Sequence, residues 1–228
     1  MVSPLWAPAV AGLQSMVMGW TIENVEAVRA EYRRLRCESR PLLICANHLT
    51  MVDSAIIAWA LGSAMSYVWD YAALPWNLPE SQNFASNPLN RLLVYVMKCI
   101  PITRGSNLEE VGHALAKVAW LLERGETALV FPEGGRSRTG RVDADAVTYG
   151  AGRIVNALGG CRVLCVYLRG DHQETWSELA VRGERFRVLL DCFEPRSEKK
   201  GLRASLDVSR QILARLAALE ARHFATVR

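Results

Sequence analysis

Short apolar runs that alternate with helical patterns constrain the fold of this 228-residue chain more than any other feature. Four runs are predicted to be strands: Leu42–Ala46, Thr127–Phe131, Arg162–Leu168 and Arg185–Phe193. Four segments between and after them are predicted to be helices: Asp53–Leu61, Asn107–Arg124, Ala146–Leu158 and Leu202–Phe224. This alternation predicts an α/β fold with a mixed, largely parallel central sheet flanked by helices.

The pattern is less regular between residues 23 and 97. The charged stretch Glu23–Glu38 predicts a helix ahead of the first strand, and Leu89–Met97 predicts a short helix. Ala64–Tyr71 is strand-like, whereas Leu74–Pro88 contains three prolines and is predicted to be irregular. Because no internal repeat or low-complexity linker interrupts the chain, we expect a single folded domain after a helical N-terminal element.

The segment Met1–Ile22 has no charged side chain. It lacks the basic start of a signal peptide, and Pro4 and Pro8 break the start of what would be a membrane-spanning helix. Its large apolar side chains suit a segment that lies in a bilayer interface: Trp6, Leu13, Met16, Val17, Met18 and Trp20. The alternative is a helix packed in the core of a soluble protein.

Charge and cysteine usage limit the possible partners. The formal net charge is +4 without any block of Lys and Arg, which favours anionic small molecules or a lipid surface over nucleic acid. The six cysteines include no CxxC pair and are predicted to be reduced thiols rather than disulfides or zinc ligands. The four histidines have no ligand-like spacing, so we predict no metal site.

His48 and Asp53 follow the predicted strand Leu42–Ala46 and form the first candidate site. Histidine is the side chain best suited to general-base catalysis near neutral pH, and a carboxylate at its second ring nitrogen fixes the tautomer. Two positions five residues apart lie on different faces of a helix, so contact requires His48 on the turn and Asp53 in the first helical turn. The alternative is that Asp53 only caps the helix, in the pattern Thr50-x-x-Asp53.

The loop Phe131–Gly140 forms the second candidate site. Gly134 and Gly135 allow the backbone to approach a ligand, Arg136 offers a planar fork for phosphate, and Glu133 can accept a hydrogen bond from a hydroxyl group. Arg104 is a third candidate for binding an anion. The alternative is a surface turn with solvated arginines. Because ligands collect at the carboxyl ends of parallel strands, we expect both sites at one edge of the sheet.

Three ordered segments resemble blocks of the PlsC-type glycerolipid acyltransferases: Asn47-His48-x4-Asp53 (the HX4D motif), Ile100–Arg104 and Phe131–Ser137. The resemblance covers roughly residues 40–195. It implies a transferase with His48 as the general base, Asp53 as its orienting partner, Arg104 and Arg136 as phosphate ligands, and Glu133 with Gly134 positioning the acceptor. Gly135 stands where the family usually has threonine, and Cys165 where it usually has proline.

The family resemblance also implies the substrates and the location. The donor is acyl-CoA or acyl-carrier protein as co-substrate, the acceptor is the hydroxyl of a lysophospholipid such as 1-acylglycerol-3-phosphate, and no cofactor takes part. The protein is expected to lie peripherally on the cytoplasmic face of the cell membrane. Residues 1–40 would be the helical membrane-associating element, and 41–228 the acyltransferase domain.

Two other functions fit the same residues. An acyltransferase of this family could act on a different acceptor, such as an amino-acid lipid or a specialised metabolite, which the aromatic segment Tyr67–Trp76 favours. A non-catalytic lipid- or acyl-carrier-binding protein could use the same scaffold. A serine hydrolase is disfavoured because no G-x-S-x-G motif exists and Ser54 is expected to face away from His48.

Overall fold

A computed structural model describes residues 3–79, 97–102 and 108–226. The fold is an α/β sandwich. These residues contain six strands: β1 (Thr21–Ile22), β2 (Leu42–Ala46), β3 (Trp76–Asn77), β4 (Thr127–Val130), β5 (Arg162–Gly170) and β6 (Arg185–Phe193). They form one sheet in the order β1-β6-β5-β2-β4-β3. Strands β5, β2, β4 and β3 run parallel, while β6 is antiparallel to β5 and parallel to β1. The predicted mixed, largely parallel sheet is confirmed.

Seven α-helices flank the sheet in the described part of the chain. They are α1 (Ser3–Gly12), α2 (Val25–Arg36), α3 (Asp53–Leu61), α4 (Ala64–Trp69), α5 (Leu108–Glu123), α6 (Gly150–Ala157) and α7 (Gly201–Thr226). A π-helical turn, Leu13–Val17, follows α1, and a 3₁₀ turn, Tyr71–Ala73, follows α4.

Both faces of the central strands are buried, which explains their nearly continuous apolar sequences. In β2, Leu43 and Cys45 face the core cluster that contains residues of α5, α6 and α7. Leu42 and Ile44 face the opposite cluster, with residues of α2 and α3. This alternation follows from the two-residue period of a strand and gives a three-layer arrangement with the sheet in the middle.

The prediction of a strand over Ala64–Tyr71 is wrong. The segment forms α4 and the start of the 3₁₀ turn. Ser63 caps the helix by accepting a hydrogen bond from the Ser66 amide at 3.0 Å, and the Tyr67 hydroxyl donates to the Ala58 carbonyl at 2.5 Å. The N-cap and this tertiary contact outweigh the strand preference of the aromatic residues.

Other boundaries differ less from the prediction. The segment predicted to be irregular contains β3, which pairs with Ala128 and Leu129 of β4. Helix α6 begins at Gly150 rather than Ala146, because Asp143 accepts the amides of Asp145 and Ala146 in a separate turn. The predicted helix Leu89–Met97 up to residue 96, the rest of the irregular stretch from residue 80, and Asn107 lie outside the described residues.

The N-terminal segment is helical and partly packed on the domain. Helix α1 continues through Pro8, so the expected break is absent. Trp20 is buried at 3% exposure, donates its indole N–H to the Val181 carbonyl and packs edge-on against Phe186, which contradicts its assignment to a bilayer interface. Met16, by contrast, is 85% exposed. Among the described helices, none has the length and apolar character needed to cross a membrane.

Candidate active site

The two predicted sites lie at the same edge of the sheet. Strands β2 and β4 are parallel neighbours, with Cys45 of β2 opposite Val130 of β4. The turn that carries His48 follows β2, and the loop that begins at Phe131 follows β4. A direct backbone hydrogen bond joins them, from the Ser137 amide to the His48 carbonyl at 2.9 Å. The topology therefore brings the histidine and the glycine-arginine loop into contact.

His48 and Asp53 form the predicted pair. The distance between His48 Nδ1 and Asp53 Oδ2 is 3.0 Å. His48 lies on the turn and α3 begins at Asp53, which is the geometry that the five-residue spacing requires. The imidazole stacks on the Phe131 ring, with 4.0 Å between centroids and 14° between planes. Within the described ranges, Nε2 has no hydrogen-bond partner, and the side chain is 16% exposed, so this nitrogen is the atom available to a substrate.

Asp53 also organises the turn that carries the histidine. Its Oδ2 accepts the amides of Leu49 at 2.5 Å and Thr50 at 2.8 Å, and its Oδ1 accepts the Thr50 hydroxyl at 2.5 Å. The carboxyl group is 2% exposed and receives four donors. The N-cap of α3 is Val52, which makes no side-chain cap bond, so Asp53 does not act only as a helix cap in the pattern Thr50-x-x-Asp53. Its carboxylate instead fixes the preceding turn and the His48 ring together.

Gly134 and Gly135 shape the loop after β4. Gly134 has φ +71°, and a Cβ there would lie 2.6 Å from Thr148 Cγ2. The Gly134 amide donates to the Phe131 carbonyl at 3.0 Å, so it serves the turn and not a ligand. Gly135 is partly buried next to it. The glycine requirement at Gly134 is thus set by backbone conformation and by close packing.

Glu133 is a buried carboxyl group beside the histidine turn, with 8% exposure. Its Oε2 accepts the Asp143 amide at 3.2 Å, while Oε1 has no partner among the residues that the structure describes. Burial raises the pKa of Glu133 to about 7, and the hydrogen bond from the Asp143 amide offsets only part of this effect. A buried oxygen without a donor is uncommon and is suited to a hydroxyl group of a bound substrate.

Arg136 is held against a later segment of the chain. Its Nη1 donates to the Ser177 carbonyl at 3.3 Å, and its guanidinium lies 4.7 Å from the centroid of the Trp176 ring. Arg104, the other predicted phosphate ligand, lies outside the described residues.

Three residues position the histidine turn, and the sequence analysis named only Asn47, as part of the motif and without this role. The Asn47 side chain donates to the Leu168 carbonyl at 3.0 Å and accepts its amide at 2.8 Å, which extends the pairing of β2 with β5 toward His48. The Ser177 amide donates to Leu49, and the Glu178 carbonyl accepts the Met51 amide. Asn47 adjoins the motif and is recognisable from it. The contacts of Ser177 and Glu178 use only backbone groups, so they leave no signature in the sequence.

The fold and this site define an α/β protein with a histidine–carboxylate pair at the carboxyl ends of parallel strands. A model of the acyltransferase family matches residues 20–169, which include the histidine turn, the Phe131–Gly140 loop and strands β1 to β4 with nearly all of β5. No curated protein matches the chain. The chain belongs to the acyltransferase family, and its general function is acyl transfer.

Proposed function

We propose that this protein transfers a fatty acyl group from acyl-CoA or acyl-carrier protein to the hydroxyl of a lysophospholipid such as 1-acylglycerol-3-phosphate. The observation that carries the proposal is the 3.0 Å contact of His48 Nδ1 with Asp53, which leaves Nε2 to the substrate. A histidine held in this way is suited to remove the proton from an alcohol as it attacks a thioester.

The reaction requires no covalent enzyme intermediate. The acceptor oxygen attacks the thioester carbonyl carbon while its proton passes to His48 Nε2, and the tetrahedral intermediate then collapses. The C–S bond breaks, and the departing thiolate takes the proton from the imidazolium. Asp53 stabilises the imidazolium between the two steps, and stacking on Phe131 keeps the ring in plane. General-base catalysis of this kind contributes about 10²–10⁴-fold in rate.

Two side chains of the loop after β4 are proposed to hold the acceptor. Glu133 has an unpartnered Oε1, and in its neutral form the carboxyl group can donate a hydrogen bond to an ester or phosphate oxygen of the acceptor. Arg136 offers the remaining donors of its guanidinium to phosphate. Its contacts with Ser177 and Trp176 fix its orientation, which favours a defined binding geometry over a mobile surface charge.

A different acceptor within the same reaction class remains the alternative. Its support in the sequence was the aromatic segment Tyr67–Trp76, but Tyr67 and Trp76 are core residues with 3% and 6% exposure. Asp70 in that segment forms an ion pair with Arg36 at 2.5 Å. Because these three side chains serve folding, they give the alternative acceptor little support. Trp69 of the same segment is 83% exposed and belongs to the apolar surface described next. A phosphate-bearing acceptor is therefore the better proposal.

We also propose that the protein acts peripherally at the cytoplasmic membrane surface. Helix α1 and the following π-helical turn pack beside α4. This region exposes large apolar side chains to solvent: Leu13, Met16, Val17, Met65 and Trp69. Exposed apolar residues on neighbouring elements favour binding to a lipid interface, where acceptor and product reside.

The acceptor panel is the test of this proposal. Purified protein is incubated with radiolabelled acyl-CoA or acyl-carrier protein and a panel of lysolipids and non-phosphorylated alcohols. We expect acylation of lysophosphatidate, and an increase in KM for it of about tenfold or more in Arg136→Ala. Acylation of a non-phosphorylated alcohol alone would contradict the proposed acceptor, and acylation of none would favour the binding-protein alternative.

A further inference from the structure

A cavity of about 130 Å³ lies between the N-terminal segment and α3, and no residue of the loop Phe131–Gly140 lines it. Its lining comes from α1 and the π-helical turn, α3, α4 and the start of β3, together with residues near 97–99. Most of the wall is apolar, including Ala58, Trp59, Tyr67 and Leu74. Ser54, the neighbour of Asp53 in sequence, also lines the cavity. The cavity therefore extends along α3 from the end that carries Asp53.

One polar side chain in this lining lacks a partner. Gln14 is 4% exposed, and its Oε1 is buried without a hydrogen-bond partner among the residues described. Tyr67 also lines the cavity, but its hydroxyl already donates to the Ala58 carbonyl and does not supply the missing donor. Buried amide oxygens are almost always satisfied in folded proteins, so an unpartnered one in a cavity wall indicates a group that is bound there.

The backbone around Gln14, which lines the cavity, has an unusual helical conformation. Residues Leu13–Val17 form a π-helical turn, and the Gln14 carbonyl accepts the Trp20 amide at 3.0 Å. A π-turn widens a helix by one residue, is rare, and is frequently found at functional sites. Here the widened turn directs the amide inward, while its neighbours Leu13 and Met16 are exposed.

The size and chemistry of the cavity limit what it can bind. A cavity of about 150 Å³ with apolar walls holds a six-carbon ring, so this one takes a stretch of alkyl chain of roughly that size. A plain chain would leave Gln14 Oε1 without a donor. A hydroxyl group both donates and accepts, so it satisfies the amide whichever way its oxygen and nitrogen are oriented.

We propose that this cavity binds a fatty acyl chain that carries a hydroxyl group, with Gln14 as the residue that selects it. The inference rests on the proposed acyl transfer only for the identification of the occupant as an acyl chain. Gln14 is a specificity-determining residue and takes no part in the chemical step. The hydroxylated chain belongs either to the acyl donor or to the lipid acceptor, since both carry an alkyl chain past the same helix.

Direct binding tests the proposal without requiring turnover. Decanoate and its 2-, 3- and 10-hydroxy derivatives are titrated against the full-length protein by displacement of a fluorescent fatty acid. We expect at least one hydroxydecanoate to bind about tenfold more tightly than decanoate, the factor that one hydrogen bond to a buried amide provides. Equal affinity for all four ligands overturns the proposal, whether or not the protein proves to be an acyltransferase.

Variants assign the preference to the amide. Gln14→Met keeps the length of the side chain and removes its polar group, and it should bind decanoate and the hydroxydecanoate equally. Ser15→Ala is the matched control, because Ser15 lies in the same π-helical turn but is exposed and donates only to the Ala11 carbonyl. It should keep the tenfold preference. A Gln14→Met protein that retains the preference also overturns the proposal, and the wild-type titration remains decisive if this variant does not fold.

Turnover then identifies which substrate carries the hydroxyl group. One arm pairs a hydroxyacyl-CoA with an unsubstituted lysolipid, and the other pairs an unsubstituted acyl-CoA with a lysolipid that bears a hydroxyacyl chain. A preference in kcat/KM that Gln14→Met abolishes in the first arm assigns the cavity to the donor, and in the second arm to the acceptor. A preference in neither arm, alongside normal turnover, contradicts a role for the cavity in this reaction.

Discussion

Asp53 holds both the histidine turn and the His48 ring through one carboxylate oxygen. Its carboxylate accepts hydrogen bonds from the turn and from His48, and both need an oxygen at Oδ2. An asparagine with its amide oxygen at the Oδ2 position keeps these acceptor contacts but carries no negative charge, so it cannot stabilise an imidazolium as the carboxylate does. Stability and catalysis therefore both respond to this position.

We predict that Asp53→Asn lowers kcat by about 10²–10⁴-fold with little change in KM, because a neutral amide stabilises the imidazolium formed at His48 less than the carboxylate does. Steady-state kinetics measure the effect, and thermal unfolding reports the accompanying loss of stability. Asp70→Asn is the control, since it removes a partly exposed carboxylate in an ion pair with Arg36. An Asp53→Asn enzyme with kcat near that of the wild type would show that the pair is only structural.

Glu133 should make stability depend on pH. An unfolded glutamate loses its proton near pH 4.5, whereas burial raises the pKa of Glu133 to about 7 in the folded protein. Between these values the folded state binds more protons, so its stability falls as the pH rises from about 4.5 to about 7. As the pH rises over this range, the wild type should lose about 2 kcal/mol of unfolding free energy relative to Glu133→Gln, which has no proton to lose.

Urea denaturation at pH 5, 6, 7 and 8 checks the prediction for Glu133. Glu194→Gln provides the comparison, because hydrogen bonding to Arg40 lowers the pKa of Glu194 and the group is ionised in both states above pH 5. The difference in unfolding free energy between Glu194→Gln and the wild type should not change with pH. A flat profile for Glu133→Gln as well would mean that the carboxyl group is ionised in the folded protein at pH 5.

Among single residues, the sequence predicts the contact between neighbours in the chain but not the contacts that depend on strand order. The contact between His48 and Asp53 follows from spacing and from the start of a helix, both visible in the sequence. The stacking of His48 on Phe131 could not be foreseen, because it depends on β2 and β4 being neighbours. The unpartnered oxygen of Glu133 likewise results from packing against the Asp143 turn, 10 residues further along.

Among the elements, the loop after β4 carries the most demanding backbone. Gly134 combines a positive φ of +71° with a space too small for a methyl group, 2.6 Å from Thr148 Cγ2. Thr148 cannot move away easily, because its hydroxyl donates to the Pro132 carbonyl at 2.8 Å. The loop thus has one conformation available to it, and that conformation holds Glu133 beside the histidine turn.

We predict that Gly134→Ala destabilises the protein by about 2–3 kcal/mol and lowers kcat, since both backbone strain and the collision displace the loop. Gly125→Ala is the matched control. Gly125 has a similar φ of +78° with no atom within 4 Å of the added Cβ, so it should cost only about 1 kcal/mol and leave kcat unchanged. Equal losses in the two variants would remove the packing argument for Gly134.

The error at α4 shows where element prediction fails. Aromatic and branched residues in Ala64–Tyr71 favour a strand by local preference alone. The helix is specified instead by the Ser63 cap and by Tyr67, whose ring fills the space beside Gly62 and whose hydroxyl reaches α3. By contrast, β2 and β6 have the predicted bounds, because burial on a sheet imposes a pattern that the sequence displays directly.

For the whole molecule, we predict a defined membrane-binding surface on α1, the π-helical turn and α4. Met16→Asp and Trp69→Asp should each weaken binding to anionic phospholipid vesicles by about tenfold, the loss expected when one large apolar side chain no longer leaves water. Co-sedimentation measures the bound fraction. Trp120→Asp is the control, because Trp120 is a half-exposed tryptophan on α5, and it should bind as the wild type does. Equal loss in all three variants would contradict the assignment of this surface.

The central claim is that His48 is the general base of an acyl transfer, and the direct measurement is kcat for His48→Ala beside His172→Ala. His172 also contacts a carboxylate, at 3.1 Å from Glu184, but its side chain is 70% exposed and it lies outside the histidine turn. We predict that His48→Ala lowers kcat by at least about 10²-fold while His172→Ala stays within a factor of about two. Full turnover in His48→Ala, with the same acyl donor and acceptor, would contradict the account.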